Sequence, residues 1–406
     1  MAYGVFRSPA AIYFGTGQRK ALPQIVAQHG QRVFICTDER FFQDPLLAGI
    51  EKALKDQGIA TMTYDRTIAE LPASCIQEAT VLAREFKADV LLGIGGGSCQ
   101  DLAKLVALSM SYGDDLRPFY GEFNVPGKIL PVIAVPTTAG TGSEVTPVAV
   151  LGDPERVTKV GISSPYLIPA VAVCDPELTL TCPPRLTAIA GADAMTHALE
   201  AFTAIRREPS PQLSLGQVFI GKNMFSDVQA RAAIAALAKY LPIAVEDGSN
   251  LVAREQVMYG SLAAGLAFGT AGTAAAHAIQ YPIGALTNTA HGLGVAALMP
   301  YVMEFNLDSC VPEFVEIAHL FGLPAQGDAA DARAAIDAVE QLFARIGIPS
   351  TLQGLNVTAD KLEWIAQQSM LAARLVNNNP RALNVESIGR IVNAAYAGDR
   401  ALLRGA

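Results

Sequence analysis

From residue 10 to about residue 180, short apolar runs rich in β-branched residues alternate with stretches whose apolar positions recur every three or four residues. The runs AIYF (11–14), RVFICT (32–37), ATMTY (60–64), DVLLGI (89–94), ILPVIAVP (129–136) and AVAVC (170–174) predict strands. Between them, QRKALPQIVAQH (18–29), DPLLAGIEKALKD (44–56), SCIQEATVLAREF (74–86) and CQDLAKLVALSM (99–110) predict amphipathic helices. Strand then helix, repeated, requires crossover connections, so this region is expected to be a doubly wound α/β domain with a largely parallel sheet.

Past CDPELTLTCPP (174–184) the texture changes and no strand pattern returns. Ala-rich helical stretches such as ARAAIAALAKYL (230–241) and DARAAIDAVEQLFARI (331–346) fill the rest. The expected division is an α/β domain over 1–183 and an all-helical domain over 184–406. Length agrees with it, because a single hydrophobic core stops growing at about 250–300 residues. No internal repeat or low-complexity tract appears.

Thirty basic against thirty-eight acidic residues leave a net charge of -8 without a polybasic run. That argues against nucleic acid or an anionic membrane as partner and for a small molecule. The six cysteines (Cys36, Cys75, Cys99, Cys174, Cys182, Cys310) form no CxxC pair, and MAYGVFRSPAAIYFG carries no long apolar run behind a basic start. A reduced, cytoplasmic protein is the expectation. Cys99, beside a glycine cluster, reads either as a reactive thiol or as a small residue packed near a ligand.

One region stands apart: Gln256 to Met303 holds no Asp, Glu, Lys or Arg. Its window SLAAGLAFGTAGTAAAHAI (261–279) approaches the length of a membrane span. Yet it is built mainly of Ala, Gly, Ser and Thr, has no Lys/Arg-rich flank and is followed by Pro282. A buried helix in a soluble helical domain is the expectation.

Three segments, and the single residue Asp38, carry candidate chemistry. In ADVLLGIGGGSCQDLAK, a strand runs into Gly95, Gly96, Gly97 and Ser98 and then a helix through Asp101 and Lys104. Glycines admit a ligand close to the backbone and a helix start offers N–H groups to a pyrophosphate, although the same residues also serve a tight strand-to-helix turn. VPTTAGTGSEVTPVAV (135–150) places Thr137, Thr138, Thr141, Ser143 and Thr146 after the next strand, either as a polar ligand loop or as a solvated one. Asp38 ends RVFICTD, where a carboxylate reads as a ribose acceptor that repels a 2′-phosphate or as a plain turn residue.

The third segment is GADAMTHALEAF, which sets Asp193 and His197 four residues apart on one helix face; His277 and His291 follow inside the uncharged stretch. One carboxylate and three imidazoles suit a borderline divalent cation such as Fe²⁺ or Zn²⁺. A histidine on an apolar face is also commonly a satisfied core residue.

Taken together, GGGSCQDLAK, PTTAGTGSEVT, GADAMTHALEAF, the His277–His291 segment with its closing HG, and NNNPRAL (377–383) resemble the iron-containing, group III alcohol dehydrogenase family. The resemblance runs almost end to end from IYFGTG (12–17), with the motifs in family order. It implies the dehydroquinate synthase-like fold: an N-terminal dinucleotide-binding α/β domain followed by an all-helical metal-binding domain. It also implies Asp193, His197, His277 and His291 as metal ligands, Gly95 to Ser98 under the pyrophosphate, and Asp101 near the nicotinamide. Thr137, Thr138, Thr141, Ser143, Thr146 and Lys159 would line the cofactor, and Asp38 would favour NAD.

The implied reaction interconverts a primary alcohol and an aldehyde by hydride transfer with NAD(H), the substrate oxygen lying on Fe²⁺ or Zn²⁺. Maleylacetate reduction, transhydrogenation between a hydroxy acid and an oxo acid, and a non-catalytic nucleotide- or metal-binding relative are the alternatives. The intact metal set counts against the first of them. A homodimer or higher homo-oligomer is expected, without nucleic acid or membrane.

Three features depart from the family pattern. Tyr281 stands where many members carry a histidine, so a phenol, with a pKa near 10 against about 6.5 for imidazole, is expected to touch substrate rather than relay protons at neutral pH. RREPSPQLSLGQVFIGKNMFS (206–226) is longer than the usual link and reads as a cap near the substrate or as oligomer surface. LPASC (71–75) replaces a Pro-Asn-Pro turn, so no adenine contact is expected from an asparagine there.

Overall fold

The computed structural model describes residues 3–156, 159–324 and 329–404. Its strands are β1 (Ala11–Phe14), β2 (Arg32–Cys36), β3 (Ala60–Tyr64), β4 (Val90–Gly95), β5 (Gly121–Glu122), β6 (Val132–Pro136), β7 (Val148–Leu151), β8 (Val160–Ser163) and β9 (Val171–Cys174). Six of them form one sheet in the order β1-β9-β6-β4-β2-β3, and every ladder in it is parallel. Every residue of β4 and β6 is buried, as in a parallel sheet covered on both faces. Alternation along the strands splits the core: Phe34 and Leu91 face one cluster, Val33, Ile35, Val90 and Leu92 the other.

The register matters for function. Gly95 of β4 pairs with Pro136 of β6, so the glycine turn and the Thr-rich loop leave the sheet side by side at its C-terminal edge. Open α/β sheets hold their ligands at such an edge.

A second sheet, β5-β8-β7, was not foreseen in the sequence. The segment 135–150, expected to be loop, ends in β7, which pairs antiparallel with β8. Four residues with alternating burial are too few to separate a strand from a polar loop by pattern. QRKALPQIVAQH is likewise not one helix but a 3₁₀ turn, Gln18–Ala21, followed by Leu22–Ala27, with Pro23 near the junction.

No strand follows Cys174 among the described residues. The helices that matter below are Pro184–Thr203, Met224–Glu246, Leu251–Ala271, Ala275–Thr287 and His291–Asn306. The window 261–279 is not one helix: Leu251–Ala271 and Ala275–Thr287 meet at 102°. Gly272, with φ of +81°, makes that turn, while Pro282 lies within the second helix instead of ending it. Met224–Glu246 is long and apolar enough to cross a membrane by length and composition, and it packs on Pro184–Thr203 and Leu251–Ala271.

Two compact units result, one of Arg7–Cys182 with Gln212–Val218, the other of Met1–Phe6, Pro183–Pro211 and Phe219–Ala406. The long link 206–226 thus lends Gln212–Val218 to the N-terminal unit. There Arg7 donates to the carbonyls of Ser214 and Val218 at 2.8 and 2.9 Å, and the Val218 N–H donates to Glu122 at 2.7 Å.

Candidate metal centre and dinucleotide cradle

In the C-terminal unit, the helix Pro184–Thr203 carries Asp193 and His197 one turn apart, both buried. His277 comes from the first turns of Ala275–Thr287, and His291 is the first residue of His291–Asn306. The three Nε2 atoms converge on one oxygen: His197, His277 and His291 stand 3.7, 3.8 and 3.9 Å from Asp193 Oδ1. Those separations are too long for hydrogen bonds, and they suit atoms that share a cation between them.

Asp193, His277 and His291 each offer a ligand atom within 4.8 Å of the others. The close approach has a packing cause. A Cβ on Gly292 would fall 2.9 Å from Asp193 Cβ, so only glycine after His291 lets the two helices meet there.

The fit to a metal rests on His277. Its Nε2 is buried with no hydrogen-bond partner, while its Nδ1 lies 2.6 Å from Glu200 Oε2. A buried polar atom left without a partner is unusual in a folded chain and calls for a missing one. His197 stacks between Phe268 and His277, with ring centroids 4.3 and 4.7 Å away, which fixes its plane and screens it from water. His291 is the accessible member, its side chain 25 % exposed.

Two residues of this centre had no assigned role in the sequence. Glu200 lies three positions beyond His197 on the same helix, and that spacing was the available signal. Asn378, in NNNPRAL, donates to the carbonyls of Ala271 and Thr273 at 2.9 and 3.1 Å and so pins the turn that delivers His277. Its neighbour Asn379 exchanges amide hydrogen bonds with Asn306, at the far end of the His291 helix, at 3.0 and 2.8 Å.

Tyr281 lies one turn beyond His277, its ring centroid 6.2 Å from that of His291. Burial pushes its phenol above the ordinary value, against an opposing pull from Arg374. It therefore keeps its proton at neutral pH.

In the N-terminal unit, Gly95, Gly96 and Gly97 turn β4 into the helix Gly97–Tyr112, whose N-cap Gly96 supplies no side-chain acceptor. A Cβ on Gly97 would fall 2.6 Å from Thr141 Cγ2, so the glycine turn and the Thr-rich loop are in direct contact. Space remains over Gly96, where the nearest atom to an added Cβ is Thr138 Oγ1 at 3.6 Å. The turn, with Ser98 half-buried beside it, could hold an anion at the helix start.

Asp38 caps the short helix Glu39–Phe42 through Oδ1, which accepts from the Phe41 N–H at 2.9 Å. Its Oδ2 meets the Cys99 thiol at 3.6 Å and points to the Gly95 turn. Burial and Asp38 push that thiol well above its usual range, so Cys99 is a packed, unreactive residue. Thr137 accepts from Arg40 at 3.2 Å, and Lys159 is ion-paired with Glu70.

Asp101 and Ser143 serve each other. Ser143 donates to Asp101 Oδ1 at 2.6 Å, and the Val150 N–H donates to Asp101 Oδ2 at 2.9 Å. Beneath them the ammonium of Lys104, fully buried, donates to Ser143 Oγ and to the carbonyls of Thr146 and Val148 at 2.9, 3.1 and 2.9 Å. Burial lowers Lys104 to about 8, partly offset by Asp101 and Glu144. Burial raises Glu144 to about 7 and raises Asp101 as well.

Two family models match the chain: iron-containing alcohol dehydrogenase over residues 9–176, and the C-terminal domain of that family over 187–396. A long-chain-alcohol dehydrogenase of Geobacillus thermodenitrificans is 33 % identical over 96 % of both chains. The crystal structure of a 1,3-propanediol oxidoreductase superposes with a TM-score of 0.90 at 30 % identity, covering 97 % of this chain and 100 % of that one. A sulfoacetaldehyde reductase from Bifidobacterium kashiwanohense in complex with NAD+ superposes with a TM-score of 0.84 at 26 % identity, covering 98 % and 100 %.

Proposed function

The chain belongs to the iron-containing alcohol dehydrogenase family of alcohol and aldehyde oxidoreductases, and from that premise we propose that it moves a hydride between a primary alcohol and NAD(H), with Asp193, His197, His277 and His291 holding Fe²⁺ or, in its place, Zn²⁺. The observation that carries this reading is the convergence of three Nε2 atoms on Asp193 Oδ1 around a buried, unpartnered His277 Nε2. Three neutral imidazoles and one carboxylate leave a dication with residual positive charge. When bound, such a cation supplies a Lewis acid for a substrate oxygen, and the nicotinamide supplies the hydride carrier.

The chain's own residues do the rest. Gly95 to Ser98 and the helix start behind them receive the pyrophosphate; Thr137, Thr138, Thr141, Ser143, Thr146 and Lys159 shape the surrounding pocket. Asp38 Oδ2 accepts from ribose hydroxyls and disfavours a 2′-phosphate, which makes NAD the preferred dinucleotide. Asp101 acts by holding Ser143 and the Val150 backbone in place. Phe268 keeps water from the face of His197. His291, the most accessible of the four, marks the side from which substrate arrives, and Tyr281 beside it offers a protonated phenol as a polar contact.

The same reading makes the protein a soluble, cytoplasmic enzyme of a small alcohol or aldehyde, working as a homodimer or higher homo-oligomer. Anaerobic reconstitution of the metal-free protein with Fe²⁺ or Zn²⁺, followed by NADH and NADPH oxidation over an aldehyde panel, tests it. Metal-dependent NADH oxidation is expected, lost in His277→Ala and His291→Ala. Equal activity in those variants would end the metal assignment, and a preference for NADPH would overturn the role of Asp38.

A further inference from the structure

We propose that Glu200 is a positioning residue for His277: its buried carboxylate fixes the imidazole as the Nδ1–H tautomer and aims the Nε2 lone pair at Asp193 before any cation arrives. This rests on the metal reading above.

Helix geometry brings the three residues together. Positions 193, 197 and 200 fall on one face of Pro184–Thr203, so one helix offers a carboxylate ligand, an imidazole ligand and, a turn further on, a second carboxylate. That second carboxylate reaches the back of His277, not the ligand cluster. Its Oε2 lies 2.6 Å from His277 Nδ1 and also accepts from the Ala274 N–H at 2.9 Å; its Oε1 accepts from the Ala276 N–H at 2.8 Å.

All three partners stand as donors toward Glu200. The backbone N–H groups cannot do otherwise, and a carboxylate only accepts, so the proton on this imidazole sits at Nδ1. The lone pair of the neutral ring is then at Nε2, the buried atom left without a hydrogen-bond partner. A carboxylate behind a ligating imidazole also strengthens it as a donor.

The backbone contacts explain why the ring is aimed so well. Ala274, the N-cap of Ala275–Thr287, has no side-chain acceptor of its own, and Glu200 supplies one from a neighbouring helix. Asn378 holds the other side of the same turn through the Ala271 and Thr273 carbonyls. Tautomer and ring position are thereby set by one carboxylate. A residue that only capped the helix would affect stability and leave the imidazole proton where it was.

The test uses the full chain labelled with ¹⁵N-histidine, metal-free, with His277→Ala to assign the resonance among its five histidines. Long-range ¹H–¹⁵N spectra should show His277 as Nδ1–H. In Glu200→Gln the amide can donate to Nδ1, which moves the ring proton to Nε2 and blocks the lone pair. Chelator competition should then find Fe²⁺ and Zn²⁺ bound about 10–100-fold more weakly, with an unchanged far-ultraviolet spectrum. Glu200→Asp, too short to reach all three donors, should fall between.

An Nε2–H tautomer in the wild type, or metal affinity unchanged in Glu200→Gln, would overturn the proposal. Should Glu200→Gln not fold, the wild-type tautomer and the aspartate variant decide it. A wild-type protein that takes up neither cation overturns the metal reading instead, and its Nδ1–H resonance would still report the hydrogen bond.

Discussion

Lys104 in the N-terminal unit and His277 in the C-terminal unit are both buried and both polar, yet their surroundings treat them differently. Around Lys104 the accounts close within the protein: three acceptors take its protons, and Asp101 and Glu144 balance its charge. Around His277 they close on one side only, at Glu200, while Nε2 is left facing Asp193 across 3.8 Å. A closed network shapes a loop. An open one waits for something to complete it, and what sets this one apart is that the unpartnered Nε2 lies among three imidazole nitrogens that converge on Asp193 Oδ1.

The sharpest way to break this comparison is to remove one member from each cluster. Lys104→Met leaves Ser143, Thr146, Val148, the buried Glu144 and the partly buried Asp101 without their cation, and breaking a buried ion set in this way costs about 3–5 kcal/mol. Hydrogen exchange across the N-terminal unit should report that loss, with metal affinity untouched. Asp193→Asn should do the reverse. It exchanges a carboxylate for an amide of the same shape, so the metal-free fold should lose less than it loses in Lys104→Met while metal binding collapses. A large loss of metal-free stability in Asp193→Asn would show that the quartet is a closed structural network as well.

A smaller effect lies inside the closed cluster. Burial holds Glu144 at about 7 against an ordinary 4.5, so the folded chain binds its proton more tightly than the unfolded chain does. Its contribution is fully present below 4.5, declines as pH rises, and is lost above about 7. Lys104 works in the opposite sense. Lowered to about 8 from 10.5, it costs stability below about 8, and that cost is relieved as pH climbs toward 10.5.

The cluster should therefore be least stabilising between about pH 7 and 8, where both groups are charged. Glu144→Gln, which cannot ionise, is expected to gain on the wild type by about 3 kcal/mol between pH 4.5 and 8. Denaturation curves at those two pH values measure it. A gain that does not vary with pH would mean that Glu144 titrates as a solvated carboxylate.

What the amino-acid pattern could and could not reveal follows the range of the interactions. The six parallel strands are legible because each is a β-branched run bounded by turn residues, and the second sheet is not because β7 and β8 have four residues each. Asp193 and His197 are visible at a spacing of four. His277 and His291 became candidates with them as the two histidines of the uncharged stretch, and the family resemblance then implied all four as ligands. Glu200 stands 77 residues from His277 and Asn378 stands 107 from Ala271, so their roles are written in contacts that no local pattern carries. Pro282 misleads locally: it follows the apolar window as a helix breaker would, while the break is made by Gly272.

The smallest expected effect concerns the edge of the open cluster. Tyr281 lies beside His291, the most accessible of the four candidate ligands, and its phenol is held above its usual range by burial. A group that keeps its proton near neutrality can donate a hydrogen bond to a substrate oxygen but takes no proton from it. Tyr281→Phe removes that donor and little volume. One hydrogen bond is worth about 0.5–1.5 kcal/mol, so KM should rise roughly 2- to 12-fold, with metal content unchanged. A fall in kcat with KM constant would place the phenol in the chemical step, and kinetics identical to the wild type would remove Tyr281 from the substrate altogether.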